Sequence, residues 1–159
     1  MPPAPKPATE SATEMVQVVL PNDANPMGFM LGGAVMHLID IAAAITAFRH
    51  ARALMVTAAV DGLEFLNPIR VGDFIVLKGR VTATFRTSLE VEVQVFSEEA
   101  LTGRRQMTSR AYLIFVTLAR EDGTRDEIPQ LLVTTDEERA DRAAAETRRA
   151  EHLARRAKI

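Results

Sequence analysis

Residues 28–45 read GFMLGGAVMHLIDIAAAI, a run apolar almost all the way round that nevertheless carries Asp40 near its middle. A helix apolar on every face is a buried helix. An ionised carboxylate there is costly unless something repays it. Asp40 could take a proton from water or attack an electrophile directly, and it would do either better in a desolvated site than in water. Gly32 and Gly33 open the same run. A helix N-terminus offers backbone N–H groups without intrahelical acceptors, at the positive end of the helix dipole, and glycine lets a ligand oxygen approach closely. A base or nucleophile together with donors for a developing oxyanion is the equipment of a reaction at a carbonyl. Asn25, in NDANPMG, adds an amide that can orient a water or hold a substrate.

The spacing limits how these groups can cooperate. Asp40 lies seven residues beyond Gly33, or roughly 10 Å along one helix. The attacking group and the oxyanion donors must both come within about 3 Å of one reacting centre. One helix cannot supply both, whereas two helices packed antiparallel across a two-fold axis can. Plainer readings stand beside these. Asp40 could be a structural carboxylate paired with His37 or Arg49, and Asn25 a simple turn residue. His50 and Arg49 suit a helix C-terminus.

The elements that must position these groups follow from periodicity. Met15–Leu20 reads as a short strand ended by Pro21, and NDANPMGFM as a loop. The apolar helix runs from Gly33 to about His50. Leu54–Leu66 has strand character, with Gly62 marking a bulge or a close backbone approach. FIVLKGRVTATF alternates, placing Ile75, Leu77, Val81, Ala83 and Phe85 on one face and Lys78, Arg80, Thr82 and Thr84 on the other. SLEVEVQVF puts Leu89, Val91, Val93 and Val95 inward and Glu90, Glu92 and Gln94 outward. Arg105–Ala119 is a further long strand, closed by the turn EDG. One long buried helix with about five antiparallel strands is an α+β protein. Residues 1–12, rich in proline, read as a disordered arm, residues 13–133 as the folded domain, and residues 134–159 as a charged helical tail. The tail reads as a solvated or frayed helix, or as one whose Arg142, Arg148 or Arg149 reaches a ligand phosphate.

Composition narrows the function classes. The net charge of −2 gives no reason to expect nucleic acid as a partner. With no cysteine and three histidines, there is no disulfide and no convincing metal or redox-cofactor site. Leu31–Phe48 is long enough to raise the question of a membrane span, but Gly32, Gly33, His37 and Asp40 interrupt it, and charge within a bilayer is costly. A soluble, cytoplasmic protein is expected.

Particular stretches carry a resemblance. They are DAN at Asp23–Asn25, GG at Gly32–Gly33, LID ending at Asp40, FRH at Phe48–His50, VTAAVDGLEFLNPIRVGD at Val56–Asp73, and RTS at Arg86–Ser88 before an alternating strand. In this order and spacing, over Met15 to Pro129, the chain resembles the hotdog-fold acyl-CoA thioesterases. It is most similar to the acyl-CoA hydrolase group that includes small bacterial enzymes and the two-domain cytosolic hydrolases of animals. Phe85 stands where the family usually has a small residue, and Phe29 where many members carry a polar one.

The resemblance implies an antiparallel sheet wrapped around the central helix, and hydrolysis of acyl-CoA to free fatty acid and coenzyme A without a cofactor. It implies active sites at a dimer interface, with Asp40 as base or nucleophile and Asn25 supplied by the partner chain. Gly33 would belong to the catalytic set, and Thr57 matches a threonine that lines the family's site, although it is also simply a good strand former. Gly32, Arg86, Thr87 and Ser88 would contact coenzyme A; the RTS turn is otherwise a hairpin connection. The dimer would be the minimal active unit, built into a tetramer or hexamer, with neither nucleic acid nor membrane as partner. A non-catalytic acyl-CoA-binding regulator is the alternative, and it could dispense with Asp40 and Asn25. A hydratase would want a His–acid pair at the mouth of the helix, whereas His37 lies within it.

Overall fold

The computed structural model describes residues 2–159. In chain order the elements are β1 (Lys6–Pro7), β2 (Thr13–Val18), α1 (Gly32–Ala51), β3 (Met55–Phe65), β4 (Phe74–Thr84), β5 (Ser88–Glu98), β6 (Arg105–Thr117), β7 (Leu131–Leu132) and α2 (Asp136–Arg156). Five strands form one sheet in the order β2-β4-β5-β6-β3. Every neighbouring pair is antiparallel. This is the hotdog thioesterase fold: a long helix against a five-stranded antiparallel sheet, with a further helix at the C-terminus.

The alternation in β5 builds the contact between helix and sheet. Leu89, Val91, Val93 and Val95 are fully buried and share one apolar cluster with Ile75, Leu77 and Val81 of β4, Leu113 and Phe115 of β6, and Val35, Ile39 and Ala43 of α1. Each large side chain buried this way contributes about 1.5–3 kcal/mol relative to exposure. Close approach of α1 depends on a gap in β4. A Cβ at Gly79 would lie 2.5 Å from Thr46 Oγ1, whose hydroxyl already donates to Ala42 O at 2.9 Å. Length and composition would let α1 cross a bilayer, but nine of its residues are buried within the protein.

Two of the four register shifts in the sheet bear on the faces expected from the sequence. β3 shifts register between Asp61 and Glu64, where Gly62 takes a φ of +61°, so the glycine marks the expected bulge. β4 shifts between Val81 and Ala83, which the alternation did not reveal. Val81 still faces Val91, but Ala83 registers with Glu90, and the Phe85 ring lies beneath Arg149 of α2. Ala83 and Phe85 therefore leave the face expected of them, because an inserted residue reverses a two-residue period.

Both ends of the chain are more ordered than composition suggests. The arm expected to be disordered is tied down: Lys6 N–H donates to Gln130 O at 3.0 Å, and Lys6 Nζ donates to His50 O at 2.8 Å, capping carbonyls at the end of α1. The charged tail is neither solvated throughout nor frayed. Thr135 caps α2 by accepting from Glu138 N–H at 3.1 Å, with acids in the first turn and arginines in the last, as the dipole favours. The helix lies on the outer face of the sheet, so Glu90 and Glu92, expected to face water, are 1% and 4% exposed. Arg148 meets Glu90 through two bonds of 2.8 and 2.9 Å and stacks 3.6 Å from the Tyr112 ring centroid. Arg80 bridges Asp141 of α2 and Glu92 of β5 at 2.7 and 3.2 Å. Arg148 is thus spent on docking, and Arg142 pairs with Glu146.

Candidate active site

Asp40 lies on the side of α1 turned away from the sheet, where it is exposed together with Gly33, Met36 and His37. The expectation that Asp40 is enclosed fails for the single chain, because one sheet covers only one side of a helix. What remains open is nonetheless apolar: Met36 is 44% exposed, Phe48 37%, and on the edge strand β3 Val56 and Val60 are 42% and 43%. An uncovered apolar face of this kind marks an interface.

Thr57 Oγ1 donates to Asp40 Oδ1 at 2.7 Å. This bond joins the middle of α1 to the start of β3 and orients the carboxylate, leaving Oδ2 free. Neither structural partner considered for Asp40 takes it up. Among the described residues His37 makes no ion pair, and Arg49 donates to Ala12 O and Thr13 Oγ1 on β2 and the turn before it, at 3.3 and 3.4 Å.

Asn25 shapes the loop into α1. Its side-chain oxygen accepts from Met27 N–H at 3.0 Å and Phe29 N–H at 3.2 Å, an Asx turn of the kind this residue forms readily. Gly28 completes the turn with a φ of +85°, and Leu31 N–H donates to Asp23 O at 2.8 Å. With the carbonyl oxygen engaged, Asn25 Nδ2 is left to donate. At the helix end, Ala34 and Val35 N–H both reach Leu31 O, and no side chain caps the helix. Gly32 and Gly33 N–H find no acceptor among the described residues. Gly33 faces open space, while a Cβ at Gly32 would stand 3.5 Å from the Phe65 ring. A cleft of about 310 Å³ bordered by Met30, Gly32, Val35 and Phe65 opens beside it.

One chain brings Asp40 to Thr57, and Asn25 to Gly33, but not the first pair to the second. Nor does it bring Arg86, Thr87 or Ser88 to the Asn25–Gly33 pair. Thr87 O accepts from Thr117 N–H at 3.0 Å, and Arg86 O from Ile128 N–H at 3.1 Å. Thr117 faces Met55 at the start of β3, whereas the Asn25 loop joins the far end through Met30 N–H to Ile69 O. The turn and the helix N-terminus therefore lie at opposite ends of the sheet. Among the described residues, no group of three His, Asp or Glu could hold a metal ion.

Sequence reasoning missed that Glu90, Tyr112 and Arg148 seat α2: it read Glu90 as facing water and Arg148 as a candidate phosphate ligand. The only signal was a pair of glutamates on a strand face read as wet.

Residues 27–103 match the Thioesterase superfamily model. The human cytosolic acyl coenzyme A thioester hydrolase is 34% identical over 139 residues, 86% of this chain and 36% of that protein; the chain spans about a third of the length of the mammalian relatives it matches. A crystal structure of an apo-hexameric acyl-CoA thioesterase superposes with a TM-score of 0.89 at 38% identity, covering 97% of this chain and 98% of the other. The Staphylococcus aureus acyl-CoA hydrolase, solved with butyryl coenzyme A and coenzyme A, gives a TM-score of 0.86 at 33% identity, covering 96% and 93%. That hydrolase has also been solved with alanine in place of an Asn, an Asp and a Thr. They are separated by 15 and 17 residues, as Asn25, Asp40 and Thr57 are here. In fold and sequence, this chain belongs to the thioesterase superfamily, among its hotdog-fold acyl-CoA thioester hydrolases.

Proposed function

We propose that this protein hydrolyses fatty acyl-CoA thioesters to free fatty acid and coenzyme A in the cytoplasm, at sites shared between two copies of the chain. The observation that carries the reading is the Thr57–Asp40 hydrogen bond at 2.7 Å, which holds a carboxylate ready on an otherwise apolar, uncovered helix face. A second copy laid antiparallel on that face removes Asp40 from water and brings the other chain's Gly33 and Asn25 within reach.

The thioester carbonyl oxygen accepts from Gly33 N–H, where the unsatisfied helix end favours the developing negative charge. Asn25 Nδ2 donates to the substrate or to the water. Asp40 Oδ2 either attacks the carbonyl carbon or takes a proton from the attacking water. In both routes the tetrahedral intermediate collapses by breaking the carbon–sulfur bond. Direct attack leaves an anhydride between the acyl group and Asp40, which water then hydrolyses to release the fatty acid and restore the carboxylate. In either case the thiolate of coenzyme A takes up the proton that the water gives up. The Arg86–Ser88 turn holds coenzyme A, and because it lies at the other end of the sheet from Gly33, it serves a site completed by another copy. Fatty acyl chains are the substrate class, and a hexamer or tetramer of such dimers the assembly.

The test is release of free thiol from a panel of acyl-CoAs from acetyl to stearoyl. Asp40→Asn keeps size and shape and removes the base, and a fall in kcat of about 100-fold or more is expected. Activity within threefold of wild type, or no thiol release from any acyl-CoA, would sink the assignment; binding without hydrolysis would identify an acyl-CoA sensor instead.

A further inference from the structure

We infer that Arg149 of α2, stacked on Phe85, is a binding residue for the phosphorylated nucleotide end of coenzyme A; this rests on the assignment of the Arg86–Ser88 turn to coenzyme A. On α2, Arg139, Arg142, Arg148 and Arg155 each pair with an acid: Asp136, Glu146, Glu90 and Asp61. Arg149 and Arg156 pair with none among the described residues, and of the two only Arg149 is fixed by its side chain, 4.1 Å from the Phe85 ring centroid. A guanidinium held over an aromatic face still has its N–H donors free to meet a phosphate.

The ring that carries it belongs to the turn. Phe85 N–H donates to Ser88 O at 2.8 Å, and Gln130 Nε2 donates to Phe85 O at 2.8 Å, so Phe85 and Arg86–Ser88 move as one unit. Glu127, 3.9 Å from Arg86 and half exposed, is the acid paired at this turn. Arg86 and Arg149 together therefore leave the place net positive, as an anionic ligand requires. Arg148, one residue earlier on α2, anchors the helix in the sheet and sets Arg149 in position.

The test compares an acyl-CoA with the matching S-acylpantetheine, which lacks the phosphorylated nucleotide, using the butyryl or palmitoyl ester, whichever the wild type turns over faster. Arg149→Ala and Phe85→Ala should lower kcat/KM for the acyl-CoA roughly three- to tenfold, the size of one charge-assisted contact at an exposed site. Arg149→Ala should leave the acylpantetheine unchanged. Arg149→Lys, which keeps the charge and loses the planar guanidinium, should recover part of the loss. Acyl-dephospho-CoA then tells which phosphate is held: indifference to Arg149→Ala identifies the 3′-phosphate, and an equal loss the pyrophosphate. Unchanged kcat/KM for acyl-CoA in Arg149→Ala, or an equal fall for acylpantetheine, would overturn the inference, the second outcome leaving Arg149 only a docking residue. Arg86→Ala separates this from the parent reading. If Arg86→Ala weakens acyl-CoA and Arg149→Ala does not, only the inference falls; if neither does, or if neither ester is hydrolysed, both fall.

Discussion

The shared site can be tested by complementation between two inactive variants. Asn25 is built into the loop that ends at Gly33 by its two side-chain bonds to Met27 and Phe29. Asp40 stands seven residues down the same helix, roughly 10 Å away, and is joined to Thr57 instead. If each site takes Asn25 from one chain and Asp40 from the other, Asn25→Ala and Asp40→Ala each disable both sites of a pure dimer. Unfolding the two variants together in equal amounts and refolding them gives about half mixed dimers by random pairing. Each mixed dimer then holds one site with both lesions and one with none. Thiol release should return to roughly a quarter of the wild-type rate, and assembly of dimers into a hexamer does not alter that fraction. Native mass spectrometry confirms that mixed dimers are present. If they are present and no activity returns, both residues come from one chain and the shared site is refuted.

Three further outcomes test the scaffold. Gly79→Ala puts a methyl against Thr46 Oγ1, where a Cβ would sit at 2.5 Å; a stability loss of about 1–3 kcal/mol, typical of overpacking, should appear in denaturant titration, and an unchanged midpoint would show that Thr46 yields freely. Arg148→Ala leaves the Glu90 carboxylate buried with only Thr82 as hydrogen-bond partner, so a loss approaching about 3 kcal/mol is expected, with Glu90→Gln partly restoring it in the double variant. His50 is buried, with Nε2 on Pro129 O at 2.8 Å and Nδ1 unpartnered, and burial chiefly holds its pKa below the ordinary 6.5. The native state then binds this proton less readily than the unfolded state, so its stability contribution is present above about pH 6.5 and is lost as pH falls through and below that value. His50→Gln should flatten that acid limb of melting temperature against pH, and an identical profile would exclude His50 as its source.

What the sequence determined by itself was what local patterning can carry. The two-residue alternation of Leu89 to Val95 assigns a strand and its buried face. The apolar run after Gly32–Gly33 assigns the central helix, and Gly62 marks a bulge in β3. Asp40, Asn25 and Gly33 stood out because a carboxylate, a loop amide and paired glycines are conspicuous around an apolar helix. Tertiary structure decided what depends on partners distant in sequence. The bulge between Val81 and Ala83 reverses the face of Phe85, and no residue type announces it. Glu90 and Glu92 read as solvent-facing until α2, 58 residues further on at Arg148, covers them. The proline-rich arm looked disordered because its anchors, Gln130 O and His50 O, are backbone carbonyls that composition does not register. Thr57 became more than a strand former only when the fold set its hydroxyl 2.7 Å from Asp40. Alternation and helical periodicity report which face is apolar, but only packing determines what covers that face. For α1 one side is covered by its own sheet, and the side carrying Asp40 is left open.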